Sequence, residues 1–182
     1  VTELTSALRR DAEANRTRLI AAAIDVFNSE GTDAGVEQIA ARAGVGVGTL
    51  YRRFPTKDAL IAYLVADLMA EMTDAATRAR TVPDGGGLEQ YVRELADRLA
   101  ARRGCLDRLW NQGDPSERAL LRRRLGQLVR DARQADVIRA DITLDDMLRV
   151  IWSLQGVILN AGPAAAKACK RHLDIVFAGL RA

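Results

Sequence analysis

The chain has 182 residues, 48% of them hydrophobic and 28% charged. That excludes a disordered or low-complexity segment and suits one compact domain, or a small domain beside a larger one. Aromatics are only 4% and the formal net charge is +3, a balance that permits a nucleic-acid partner without requiring one.

Alanine and leucine carry most of the apolar count, which favours helices over strands. The opening VTELTSALRRDAEANRTR has no signal-peptide core, and no apolar run reaches the length of a membrane span. A soluble, cytoplasmic protein with no membrane association is the expectation. Cys105 and Cys169 are the only cysteines and form no metal or disulfide pattern, so they read as small buried hydrophobes.

In chain order, Leu19, Ile20, Ala23, Ile24 and Phe27 recur at helical spacing, so a helix is predicted from Arg16 to Phe27 and ends at Gly31. Val36, Ile39, Ala40 and Ala43 mark a short helix closed by Gly44. A second short helix runs from Val47 to Phe54. Pro55 stops it, and Thr56 caps the next helix. Leu60, Ile61, Leu64, Val65, Leu68 and Met72 give a long helix to about Arg80.

TVPDGGG, residues 81–87, is the clearest break. Leu88, Tyr91, Val92, Leu95 and Leu99 form the next stripe, closed by Gly104, and a helical turn follows from Leu106 to Trp110. Asp114, Pro115 and Glu117 form a start signal for a helix carrying Leu121, Leu125, Leu128 and Val129. Thr143 and Asp146 resemble a capping box, and the helix after them runs to Leu159. Gly162 and Pro163 break it, and a last helix spans about Ala165 to Leu180. No strand alternation and no internal repeat is found, so the fold class is all-α.

The stretch ARAGVGVGTLYRRFPTKDAL, residues 41–60, carries glycine at 44, 46 and 48. Two short helices joined by a tight turn and packed on a longer one make a helix-turn-helix. The turn needs one residue at positive φ, and Gly44 fits. Ala40 must be small beneath the crossing helix, while Leu50 and Phe54 face inward. Gly46 and Gly48 sit at the tip and outer face, where a small residue lets the backbone approach another surface such as a DNA groove. Tyr51, Arg52 and Lys57 add a hydroxyl and two charges suited to phosphate. A half-buried tyrosine and a solvated lysine are the plainer alternatives, and Arg53 is evenly balanced between DNA and solvent.

IAARAGVGVGTLYRRFPTKDAL, preceded by AAAIDVFNSEG, resembles the DNA-binding domain of the TetR family of transcriptional regulators over roughly residues 16–65. The resemblance rests on Ile39, Ala40, Ala43, Gly44, Val45, Gly48, Thr49, Leu50, Tyr51, Phe54, Lys57 and Leu60. QADVIRADITLDDML is similar to a stretch in second domains of actinobacterial members. Two positions depart from the pattern: Gly35 and Gly46 stand where members often have a side-chain cap.

The resemblance implies a three-helix helix-turn-helix DNA-binding domain over 1–60 and a helical ligand-binding and dimerisation domain over 61–182. By the family's geometry Val47, Gly48 and Tyr51 face the groove of double-stranded DNA, with Glu37 at its edge, and Thr49, Arg52, Tyr51 and Lys57 approach the backbone. The second domain is expected to hold an unknown small-molecule effector. Leu99, Cys105, Trp110, Leu128, Trp152 and Gln155 are candidates for its wall, against a default of core packing. A homodimer is expected through Leu148, Ile151, Ile158, Leu159, Leu173, Val176, Phe177 and Leu180.

The arginines of LLRRRLGQLVRDAR, residues 120–133, read as a solvated face, and His172 as a surface or interface residue. No cofactor, metal cluster, phosphate loop or nucleophile elbow is implied. The expectation is a ligand-responsive repressor at a palindromic operator, not an enzyme. The alternative is a helical carrier or enzyme with a vestigial helix-turn-helix.

Overall fold

Helix starts and stops in this chain are set by local chemistry. The computed structural model describes the backbone of residues 2–112 and 114–182, and the side chains of 13–109 and 114–182. The first helix, α1 (Thr2–Glu30), begins well ahead of Arg16. The residues before Arg16 carry no clear apolar stripe, but they include strong helix formers and no glycine or proline. Gly31, at φ 81°, closes α1, its N–H donating to the Phe27 carbonyl (2.9 Å).

Two short helices follow, α2 (Val36–Ala43) and α3 (Val47–Arg53), then the long α4 (Lys57–Ala79). Thr56 caps α4 by accepting from the Ala59 N–H (3.0 Å). The 60/61 division expected from sequence lies inside α4, so one helix belongs to both units. Leu60, Ile61 and Leu64 fill the helix-turn-helix core. Met69 and Met72 of the same helix are buried further along.

The remainder is helical: α5 (Gly87–Ala101), α6 (Leu106–Gln112), α7 (Pro115–Gln134), α8 (Leu144–Ala161) and α9 (Ala165–Leu180). Asp114 caps α7 through the Ser116 N–H (2.6 Å) with Pro115 at the first helical position. Thr143 and Asp146 form the reciprocal capping box of α8. Helix α5 lies between α4 and α9, α7 packs on α4, and α8 pairs with α9. The loop before α8 is clasped to the end of α9, where the Arg139 N–H donates to the Leu180 carbonyl (2.9 Å). Among the described residues there is no strand, only an isolated bridge between Ile138 and Arg181. None of the described helices is long and apolar enough to cross a membrane.

Two contacts fix the helix-turn-helix to the rest. Asn28, near the end of α1, donates to the Ala101 carbonyl (2.7 Å) and accepts from the Gly104 N–H (2.9 Å). A Cβ at Gly104 would overlap the Phe27 carbonyl, so only glycine allows this approach. Beside it, Arg102 binds Glu71 (2.7 Å) and Asp67 (2.9 Å) of α4. The bond from Arg102 holds the Glu71 carboxyl below the usual carboxylate range, against the opposing effect of burial.

Candidate nucleic-acid interface and effector cavity

The turn between α2 and α3 is built on Gly44, at φ 67° and ψ 36°, where a Cβ would be strained. The Val45 N–H donates to the Ala40 carbonyl (3.0 Å) and closes it. Ala40 is buried beneath the crossing, and Leu50 and Phe54 face the core. Val45 is half-buried and packs against that core.

Gly46 and Gly48 differ from Gly44. Neither has positive φ, and a Cβ at either would meet nothing within 4 Å. The fold itself gives no reason for glycine there. Gly35 and Gly46 are the caps of α2 and α3, at φ −72° and −71°, and neither supplies a side-chain oxygen.

Around this bare tip the surface is polar and partly cationic. Glu37, Gly48, Tyr51, Arg52 and Arg53 are exposed, while Val47 and Thr49 are half-buried. Tyr51 is 44% exposed, so its ring is a large apolar body held in solvent at the tip. Arg52 donates to the Thr49 hydroxyl (3.1 Å), which aligns two of the residues expected at the DNA backbone. Lys57 is half-buried, and its Nζ lies 3.3 Å and 3.4 Å from the Asp33 and Ala34 carbonyls. A cation at a helix N-terminus is unfavourable, and these two oxygens account for part of its presence. An ammonium has three donors.

Sequence reasoning missed the brace behind the recognition helix. Arg16 of α1 donates to the Tyr63 hydroxyl of α4 (2.6 Å) and stacks on its ring at 4.9 Å. The Tyr63 ring lies 5.5 Å from that of Phe54, at the end of α3. No periodic pattern marks Arg16 or Tyr63, because each is half-buried against a different helix.

The second unit encloses a cavity of about 440 Å³, within the usual size of a small-molecule site. Met69 and Met72 of α4, Tyr91 and Leu95 of α5, and Leu109 of α6 form its inner wall. Leu121 and Leu125 of α7 and Leu148, Ile151 and Trp152 of α8 complete it, with Arg118 and Arg122 of α7. Burial pushes the Tyr91 phenol well above its ordinary value, so it stays neutral.

Of the wall residues expected from sequence, Trp152 lines this cavity. Leu99, Cys105 and Leu128 do not, because all three are buried in the helical core. Burial pushes the Cys105 thiol up to about 11, so it is an inert apolar filler. Gln155 lies instead in a shallower cleft between the end of α1 and α8. Trp110 belongs to α6, and its side chain lies outside the described residues. The methionine wall on α4 was hidden because the buried face of that helix is broad.

The outward face of α8 and α9 also differs from the expected stripe. Ile151, Ile158, Leu173 and Phe177 are buried in the chain's own core and face inward. Leu159 is 61% exposed, and Leu148, Val176 and Leu180 are half-buried. Trp152 and Ile175, at 55% and 58% exposure, join Leu159 as the exposed large apolar groups of these helices. Gly156 and Gly179 are open to solvent. Ser153 and His172 meet at 3.0 Å and link the two helices.

Known proteins share both halves of this arrangement. The family model of bacterial regulatory proteins of the tetR family matches residues 19–64, and that of the SbtR-like transcriptional regulator C-terminal domain matches 83–182. A TetR transcription regulatory protein from Mycobacterium vanbaalenii superposes with a TM-score of 0.69 at 31% identity, covering 96% of this chain and 99% of that one. The TetR transcriptional regulator SCO0520 from Streptomyces coelicolor gives 0.67 at 35% identity, covering 91% and 98%. The HTH-type transcriptional regulator BetI of Klebsiella pneumoniae is 35% identical over 77 residues, 41% of this chain and 40% of its own length. The chain thus spans well under half the length of the curated relatives it matches, while the solved structures are covered almost whole. With helix-turn-helix and second domain both matched, the chain belongs to the TetR family of transcriptional regulators, a family of regulators and not of enzymes.

Proposed function

We propose that this chain is a ligand-responsive repressor that acts in the cytoplasm and binds a palindromic operator in double-stranded DNA as a homodimer. The observation that carries DNA contact is the bare tip of α3. Gly46 and Gly48 have ordinary backbone angles and open space, so their lack of a side chain serves a surface outside the molecule. In this reading Val47, Gly48 and Tyr51 enter the groove with Glu37 at its edge, and Thr49, Arg52 and Lys57 meet phosphates. Base readout is sparse, because valine and glycine offer no bidentate hydrogen bonds, and DNA shape supplies part of the selectivity. The head is assigned to 1–60 and the effector and dimerisation unit to 61–182, with α4 shared across the boundary.

The dimer face is the exposed Trp152, Leu159 and Ile175 on α8 and α9, supported by half-buried Leu148, Val176 and Leu180. A twofold arrangement would pair these helices into a four-helix interface and set the two heads one DNA turn apart, roughly 34–36 Å, or a multiple of it. The effector cavity shares α4 with the head. Lys57 and Met72 lie on that one helix, separated by roughly 22 Å at 1.5 Å per residue. A ligand that shifts Met69 and Met72 therefore tilts the element that carries α3. A tenfold loss of operator affinity needs about 1.4 kcal/mol of preference for the DNA-incompetent tilt.

The test is fluorescence anisotropy on DNA upstream of the protein's own gene, as a function of salt. Log K should fall with a slope near −0.9 per neutralised phosphate, and Lys57→Ala should weaken all sequences alike and flatten that slope. Binding indifferent to salt and to Lys57 overturns the phosphate assignment. A reporter driven from the same DNA should rise when the gene is deleted; a fall makes the protein an activator.

A further inference from the structure

We propose that the cavity takes an amphipathic monocarboxylate, its apolar body among the α4, α5 and α8 side chains and its carboxylate between Arg118 and Arg122. This rests on the reading of the second unit as the effector domain. The wall is sulfur and hydrocarbon over most of its area, from Met69, Met72, Leu95, Leu109, Leu125 and Ile151. Such a wall accepts a flexible apolar body and gives no hydrogen bond to a polar one.

Among the described residues, the charged groups of the lining are Arg118 and Arg122, both cationic, and no carboxylate lines the cavity with them. Tyr91, kept neutral by burial, and the indole N–H of Trp152 are uncharged. An ammonium head in the cavity would face the two cations of the lining, and a neutral head would leave both guanidinium groups without a carboxylate from the ligand. Arg118 and Arg122 stand four residues apart on α7, so they share one face of the helix, where like charges repel. An anion placed between them adds to the compensation that Asp114 and Asp145 already give.

The pair is also accessible. Arg122 meets Asp145 of α8 through Nη2 at 2.8 Å, with the two side chains 52% and 62% exposed. An ion pair so exposed contributes little. A guanidinium has five N–H donors, and Asp145 accepts from one nitrogen of Arg122. A ligand carboxylate can bind the others without the pair first being broken. Each arginine has an acidic neighbour, since Arg118 interacts with Asp114, the cap of α7, and Arg122 pairs with Asp145 at the start of α8. Asp146 is committed to the Thr143 capping box and to Arg149 (2.9 Å).

The experiment is calorimetric titration of the whole chain with octanoate, octanol and octylammonium, and with the matching dodecyl series, at one pH and salt concentration. Octanoate should bind at least about tenfold more tightly than octanol, the scale of one charge-assisted hydrogen bond, with octylammonium weakest. In Arg118→Ala/Arg122→Ala the carboxylate should fall to the affinity of the alcohol. Equal or tighter binding of the alcohol by the unaltered protein overturns the proposal but leaves the cavity an effector site. A preference for carboxylate that survives in a folded double variant also overturns it. Failure of both series to bind the unaltered protein removes the effector reading as well. The comparison of head groups on the unaltered protein decides even if the double variant does not fold.

Discussion

Replacing Gly48 by alanine should raise the stability of the fold and lower its affinity for DNA. Gly48 is the second residue of α3, its backbone is helical, and a Cβ there meets nothing within 4 Å. Alanine costs the unfolded chain entropy and favours the helix, a gain of about 0.4–1 kcal/mol. For a chain of this size that is roughly 1–4 °C in Tm. On DNA the sign reverses. If the α3 backbone lies against the groove, the added methyl group holds the helix back and stretches the phosphate contacts of Thr49, Arg52 and Lys57. Weakening one charge-assisted hydrogen bond costs about 1.5–3 kcal/mol, or roughly tenfold to a hundredfold in affinity. Urea unfolding and anisotropy on the same preparation measure both numbers. Gly44→Ala is the contrast: at φ 67° it should lose about 1–2 kcal/mol of stability. A Gly48→Ala protein that is more stable and binds DNA unchanged would refute the close approach.

Arg102→Met should change the acid limb of the stability curve. The Glu71 carboxyl is held below its ordinary value of 4.5 chiefly by the Arg102 hydrogen bond, so this contribution is present above that value and fades as pH falls through the lowered one. Urea midpoints from about pH 7 to about pH 3 should fall less steeply in the variant; an unchanged slope would remove Glu71 from the account. Ile175→Glu, at an exposed position, should leave a folded monomer in sedimentation, whereas Phe177→Ala, in the core, should cost about 3–5 kcal/mol. A stable Ile175→Glu dimer would place the interface elsewhere.

Much of the fold is legible in the sequence because its boundaries are local. Asp114 with Pro115, Thr143 with Asp146, Thr56 and Gly44 each act on the backbone within four residues, and each stands where its chemistry requires. The recognition helix is legible for the same reason. What could not be read is which stripe of a broadly apolar helix turns inward. Helix α8 has apolar residues around most of its circumference, and its neighbours α5 and α9 select Ile151 and Ile158 for the core and leave Trp152 and Leu159 outside. The cavity wall was hidden in the same way, since Met69, Tyr91 and Leu125 become neighbours only when three helices meet. Lys57 has a structural partner that the sequence did not reveal. Its charge suggested phosphate, and the carbonyls of Asp33 and Ala34, more than twenty residues away in sequence, give it a place in the fold as well.

The joint at Asn28 bears on how such regulators can be recombined. The Asn28 side chain reads two backbone groups of the α5–α6 turn, and Gly104 admits the Phe27 carbonyl only because it has no Cβ. Helix α4 runs through both units without a break. A chimera cut between the head and the second unit would therefore sever one helix and mismatch a lock whose two halves lie more than seventy residues apart. Exchange of DNA specificity between relatives is better served by grafting the outer face of α3 alone, from Val47 to Arg53, onto an otherwise intact chain. The same geometry predicts that the head and the second unit melt in one calorimetric transition, so a destabilised second unit would cost the helix-turn-helix its fold as well.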